Sequence, residues 1–134
     1  MSTDIRKLKK KADNWYSKYI RYRDGQLRNG TWVANCITCG VEKPIKELQA
    51  GHFVSRISSP LRYEDMNVHA QCVGCNMFKQ GEQYAHAQAI DLLYGTGTAE
   101  TLHNRRHETK KWTIAELEQI IEDSKEYIKE LEEL

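Results

Sequence analysis

The sequence predicts an α+β fold, a small metal-stapled centre carried between N- and C-terminal helical extensions, and three observations predict it. Apolar residues recur at helical spacing at both ends of the 134-residue chain, the middle carries Gly and short β-branched or aromatic runs, and that middle holds all four cysteines as two Cys-x-x-Cys pairs. The length suits a single domain, divided into a basic helix over 1–28, a zinc-knuckle core over 31–82 and a helical extension over 83–134. With 40% apolar and 29% charged residues, the composition excludes disordered, collagen-like and membrane-spanning classes. Met1 to Lys11 is charged and lacks an apolar segment, so no secretory signal is expected and the expected address is a reducing cytoplasm.

Taken in order, Ile5, Leu8, Ala12, Trp15, Tyr16, Tyr19 and Ile20 recur at three- and four-residue steps, predicting an amphipathic helix that ends near Gly25. From Thr31 to Cys75, the runs Trp32-Val33, Phe53-Val54 and Val68 predict small strands around knuckle turns. A helix is expected from the second Cys pair through Met77 and Phe78, broken at Gly81, and another over about Tyr84 to Tyr94, stopped by Gly95 and Gly97. Thr98 can cap a short helix. Thr113-Ile-Ala-Glu116 reads as a capping box, after which Ile114, Leu117, Ile121, Ile128 and Leu131 form an apolar stripe. That last helix packs on the first helix or the centre, or else forms a dimer contact.

The net charge of +1 conceals a polarity along the chain. Met1 to Arg28 carries nine Lys/Arg against three Asp, whereas Thr113 to Leu134 carries two Lys against eight acids. Phosphate attraction depends on local basic surface, so nucleic acid is a candidate partner for the basic end, a merely solvated helix being the alternative.

Cys36-Ile-Thr-Cys39-Gly40 and Cys72-Val-Gly-Cys75 can close a tetrahedral Zn²⁺ site. Four thiolates leave no position for water, so this zinc would hold the fold and do no chemistry. Between the pairs stand Gly51-His52-Phe53-Val54-Ser55-Arg56 and Asn67-Val68-His69-Ala70-Gln71, with Asn76 directly after Cys75. If extended, the second segment turns Asn67, His69 and Gln71 to one face, and His52, Val54 and Arg56 share another. His52, Asn67, His69 and Asn76 are therefore expected to converge on one patch beside the zinc.

The order His, Asn, Asn threaded between two zinc knuckles resembles the HNH nuclease ββα-metal motif, a treble-clef-like core. More closely, Ala50-Gly-His-Phe-Val-Ser-Arg56, Leu61-Arg-Tyr63, Asn67-Val-His-Ala-Gln-Cys72 and Cys75-Asn76 with Lys79 and Gly81 resemble the phage NinG (Rap) recombination endonucleases and the related Ref-type nuclease. The likeness resumes at Asn104-Arg-Arg-His107 and Trp112-Thr113-Ile114, covering most of the chain from about Trp15. It implies a metal-dependent DNA endonuclease cutting branched recombination intermediates, Holliday junctions and D-loops, in phage-infected bacterial cytoplasm.

By position, the resemblance makes His52 the general base that activates water, a role suited to an imidazole with an unperturbed pKa of about 6.5. It makes Asn67 the residue that orders the loop, and Asn76 a ligand of a catalytic Mg²⁺ or Mn²⁺. The residue before the base histidine is usually acidic in HNH proteins and is Gly51 here. His69 is the first candidate to complete the metal site, followed by Glu64, Asp65, Glu47 and Glu82; a histidine ligand would favour Mn²⁺. Gly81-Glu82 stands where the family has Gly-Asn. Arg56, Arg62 and Lys79 are expected to hold phosphates, or the arginines to pair with Glu64 or Asp65, while Arg105, Arg106, Lys110 and Lys111 widen the DNA surface. Trp112 is expected in the core, and His86, His103 and His107 at the surface. Paired cuts in a junction would call for a homodimer, and recombination proteins are further expected partners. The alternatives are a non-catalytic zinc-knuckle DNA-binding protein and an interaction module of a recombination complex.

Overall fold

The computed structural model describes residues 2–134. Helix α1 (Ser2–Arg23) leads into β1 (Gly25–Arg28), β2 (Thr31–Asn35), β3 (Glu42–Pro44), β4 (Leu48–His52) and β5 (Val68–Cys72). Helices α2 (Gln83–Tyr94), α3 (Thr98–Asn104) and α4 (Ile114–Glu132) complete an α+β chain with two small antiparallel sheets, β1-β2-β3 and β4-β5.

The basic helix is shorter than 1–28. Its C-terminal end is replaced by a hairpin that pairs Arg28 with Thr31 across Asn29 (φ 51°) and Gly30 (φ 81°). An Asn-Gly pair takes up these positive φ angles at little cost and matches the twist of the flanking strands, so it outweighs any helical continuation. Phe53-Val54 also departs from expectation: β4 stops at His52, and the Val54 backbone is taken up by the Asn67 side chain instead of a partner strand. Gly74–Phe78 forms one π-helical turn, not a full helix, because Gln80, Gly81 and Glu82 all follow with positive φ. The short helix α3 is capped by Gly97 and not by Thr98, whose hydroxyl donates back to the Gly95 carbonyl.

The capping box forms as expected: Thr113 Oγ1 accepts from the Glu116 backbone and Glu116 accepts from the Thr113 backbone. The stripe that follows buries Leu117, Ile121 and Ile128, and α4 lies along α1 in the same direction, with Leu8 beside Ile121 and Tyr19 edge-on to Tyr127. The main core joins Ala12, Tyr16 and Ile20 of α1 to Leu117 and Ile121 of α4 and to Val68 beneath them. Each fully buried Leu or Ile in it contributes roughly 1.5–3 kcal/mol. Trp112 packs half-buried against this cluster and donates its indole N–H to the Ser59 carbonyl.

The end of α1 also guards the edge of β5. Arg23 donates to the carbonyls of Asp65 and Val68, and the Ala70 N–H donates to Asp24. Backbone groups that would otherwise offer a template for another strand are thus taken up within the chain. Among the described residues, no helix is long and apolar enough to cross a membrane.

Candidate metal centre and cleft

The four ligand sulfurs of Cys36, Cys39, Cys72 and Cys75 lie within 4.8 Å of one another. The first pair sits on the knuckle after β2 and the second on the turn leaving β5, so a single ion would tie the two sheets together. The donor set is the one Zn²⁺ takes in closed structural sites, and the cysteines could hold such a metal. Cys39 N–H and Cys75 N–H already point at Cys36 Sγ and Cys72 Sγ, at 3.5 and 3.4 Å, as knuckle turns require to soften thiolate charge.

Beside this centre a 640 Å³ cleft runs along the unpaired edge of β4, between α1 and the turn after Cys75. Its wall includes His52, Asn76, Arg56 and Arg62. His52 is half-buried and its Nε2 lies 3.0 Å from the Arg62 carbonyl. A carbonyl only accepts, so Nε2 carries the proton and Nδ1 keeps the lone pair. Burial lowers the His52 pKa from its ordinary value, partly offset by the Arg62 carbonyl, so the ring is neutral at pH 7. Asn76 donates to Gln49 Oε1 at 2.7 Å, which fixes the amide and leaves its own oxygen as an acceptor.

Asn67 lies beneath the cleft, fully buried. It accepts from the Val54 N–H and donates to the Val54 and Leu61 carbonyls, while its own carbonyl accepts from Phe53. It stitches the 53–61 loop to the start of β5.

His69 does not join this patch. Gly51 pairs with His69 and His52 with Val68, so His52 and His69 project from opposite faces of the hairpin. His69 is 1% exposed, its Nε2 is 2.7 Å from the Tyr94 hydroxyl, and its Nδ1 is 3.4 Å from Nε2 of His86. His86, expected at the surface, is wholly buried under α2. Desolvation lowers His69 to about 4 and His86 to about 3, the latter helped by neighbouring imidazoles.

The acidic candidates are elsewhere too. Glu47, Glu64, Asp65 and Glu82 are absent from the cleft wall; Glu64 pairs with Arg105 and Asp65 accepts the hydroxyls of Tyr16 and Tyr19. The carboxylate that lines the cleft is Asp13 of α1, which sequence reasoning missed. It takes the Arg62 fork on both oxygens, the Tyr63 hydroxyl at 2.8 Å and Arg56 at 3.6 Å. The one trace of it in the sequence is an acid in the middle of a basic helix, beside the core-facing Ala12. Gly51 has a local cause: a Cβ there would meet Gln71 Oε1 at 2.0 Å, and Gln71 is held by donating to Thr38 Oγ1 and the Gly81 carbonyl.

Lys79 is exposed just after the π-helical turn. Arg105 is committed to Glu64 and Glu108, Arg106 donates to the His103 carbonyl, and Lys110 pairs with Glu116 while lying over Trp112. Neither Lys79 nor any of these three lines the cleft, contrary to the expectation that Lys79 joins Arg56 and Arg62 there. A second cavity does extend it: Arg6, Lys9 and Lys10 of α1 share a wall with Asp13, Asn14, Arg56 and Arg62.

Fold and site together define a small α+β protein with four clustered cysteines that could hold a metal and a basic, histidine-bearing cleft. The family model of the bacteriophage lambda NinG protein matches residues 3–133, and the chain belongs to the NinG family. It is 29% identical over 123 residues to protein ninG of Escherichia phage lambda and 28% identical to protein ninG of Salmonella phage P22. In each case the match takes in 91% of this chain and 56% of the relative, so the chain spans about half the length of these proteins. No solved structure matches.

Proposed function

We propose that the protein is an HNH-type endonuclease that hydrolyses phosphodiesters in branched DNA, with His52 as general base. The observation that carries this reading is the placement of His52: neutral, oriented by a backbone carbonyl, and set in a basic cleft whose wall also includes Asn76. Nδ1 of His52 takes a proton from water as the water attacks phosphorus and the bond to the 3′ oxygen breaks, leaving a 5′-phosphate and a 3′ oxygen that takes a proton from solvent. The imidazolium that forms is stabilised through the Arg62 carbonyl and returns its proton to solvent. Arg56, its side chain 61% exposed, meets an entering phosphate first, and Arg62 follows as phosphate competes with Asp13 for its guanidinium. Arg6, Lys9 and Lys10 extend the phosphate-binding wall along α1.

The cleft fits a resident divalent cation poorly. Asp13 is its one lining carboxylate and is already engaged by two arginines, whereas Mg²⁺ is usually anchored by one or two carboxylates. Asn76, with oxygens of the DNA itself, is the residue that would hold Mg²⁺ or Mn²⁺; His69, walled off on the other face, would not. Such an ion would supply charge stabilisation at the phosphate. The same poverty of carboxylates favours a second reading, a DNA-binding protein without catalysis. Recombination proteins and a second copy of the chain are proposed partners in either case.

The deciding experiment is cleavage of matched linear duplex, single-stranded and four-way-junction DNA by zinc-loaded protein, with and without added Mg²⁺ or Mn²⁺. Junction cutting that needs the added ion and falls roughly 10²–10⁴-fold in His52→Ala supports the nuclease. Binding without cutting hands the site to the second reading.

A further inference from the structure

We infer that Phe78 and Tyr84 form a stacking platform for unpaired bases at the mouth of the cleft, which gives the site its preference for branched over continuous duplex DNA. The inference rests on the nucleic-acid reading of the cleft but not on its catalysis. Phe78 is 81% and Tyr84 79% exposed, an unusual state for two large aromatic side chains in a chain with an ordered core. Their place is specific. Phe78 directly follows Met77 in the chain and Tyr84 directly follows Gln83; Met77, Gln80, Gly81 and Gln83 line the cleft, so both rings stand beside its wall without forming part of it.

The segment that presents them is held stiffly. Gln80, Gly81 and Glu82 take consecutive positive φ angles of 53°, 82° and 48°, and the non-glycine members store strain of about 1–3 kcal/mol each. The turn is held by Gly81 N–H donating to the Cys75 carbonyl at 2.8 Å, Glu82 N–H donating to Lys79, and buried Gln71 donating to the Gly81 carbonyl. Cys75 is one of the four cysteines that could hold a metal, so the turn next to the rings is tied to the candidate metal centre. Such strain persists where the surroundings over-determine it, and it concentrates at ligand clamps.

Charge selects the occupant. Lys79 and Glu82 both lie between the two rings in sequence and offset one another, so the cations that decide are Arg56 and Arg62, which line the cleft beside the rings. Single-stranded nucleic acid is bound by this combination, a cationic track for the backbone and aromatic faces for the bases. A continuous duplex keeps its bases stacked on one another and offers nothing to the rings. A branch point, gap or bulge offers bases already unstacked.

The test uses the zinc-loaded protein without added Mg²⁺ or Mn²⁺, so that binding alone is read. The probes are a gapped duplex and a four-way junction with 2-aminopurine at the unpaired or branch position, and a fully paired duplex of equal length. Phe78→Ala and Tyr84→Ala are expected to keep the melting temperature and duplex affinity, and to bind the gapped and junction probes roughly 10-fold more weakly per ring removed. Stacking-dependent quenching of 2-aminopurine falls with them, and Phe78→Trp restores it. An unchanged ratio of branched to duplex affinity in both alanine variants overturns the platform, even where wild-type protein cuts junctions; the patch then serves a protein partner. Ring-dependent quenching by a wild-type protein that cuts no DNA retains the platform and removes only the nuclease.

Discussion

His52 and His69 sit one strand apart in a two-stranded sheet, and their chemistry could hardly differ more. His52 looks toward α1 across a cleft lined by arginine, asparagine and glutamine; it has one ring nitrogen fixed and the other available. His69, on the other face, is closed in by α2, with both nitrogens turned to Tyr94 and His86. The same residue type in the same two-stranded sheet is a candidate base on one face and a structural polar group on the other. What separates them is what covers each face, so a histidine near a motif carries function only once the packing partner of its face is known.

Removing what both faces share should have the largest effect. Cys72 ends β5 within the metal centre, so Cys72→Ser is expected to lose the bound metal and unfold both faces together. Zinc content and far-UV circular dichroism would check this; a folded, metal-free variant with an intact cleft would break the view of the centre as a staple. Asn67→Ala comes next. Loss of three side-chain hydrogen bonds at a fully buried site should cost about 3 kcal/mol in denaturant unfolding, released mainly as mobility of the 53–61 loop on the cleft side.

Acid should act on the closed face. His69 and His86 have folded-state pKa values lowered to about 4 and about 3, below the unfolded value of about 6.5. The unfolded chain therefore binds more protons between these limits, so the stabilisation is full above pH 6.5 and is lost as pH falls toward 4. The expected loss by pH 4 is on the order of 3 kcal/mol for each of the two histidines, with zinc retention followed in parallel, and His86→Leu should roughly halve the slope. A slope unchanged in His86→Leu would remove the buried pair as its source. Gly51→Ala tests the boundary between the faces. Its Cβ would collide with Gln71 Oε1, and a cost of about 1–3 kcal/mol is expected, reduced in the double variant with Gln71→Ala. Equal costs in both backgrounds would mean that Gln71 is not what excludes a side chain at 51.

What was legible in the sequence was local. The two Cys pairs, the Thr113 capping box and the apolar stripes of α1 and α4 each depend on residues within a few positions of one another, and each stands where expected except at Ile114, the first position of the α4 stripe, which is exposed. The Asn29-Gly30 hairpin was equally local and was overlooked under the run of charge around it. The site was legible only in part, because its walls come from distant segments. Alternation told that His69 and Gln71 share a face but not that α2 would bury it, and no spacing rule brings Asp13 to Arg62 across 49 positions. Gly51 read as a missing ligand; in the folded chain it is the space that Gln71 fills.

The smallest expected effect is the one that bears most directly on the open face. If His52 is the base, cleavage must rise with pH as its imidazole deprotonates, and burial places that rise below the ordinary value of about 6.5. A free imidazole is already about three-quarters neutral at pH 7, so the gain there is under twofold and the displacement shows only below pH 6.5. Removing a nearby cation should move the rise upward: Arg56→Gln takes away a charge that lowers the His52 pKa, whereas Asp13→Asn takes away one that raises it and should move the rise down. Opposite displacements in kcat/KM profiles, measured above the pH at which the closed face titrates, would mark His52 as the titrating group. Profiles that move together, or with the stability of the fold, would place the titration on the His69 side of the sheet.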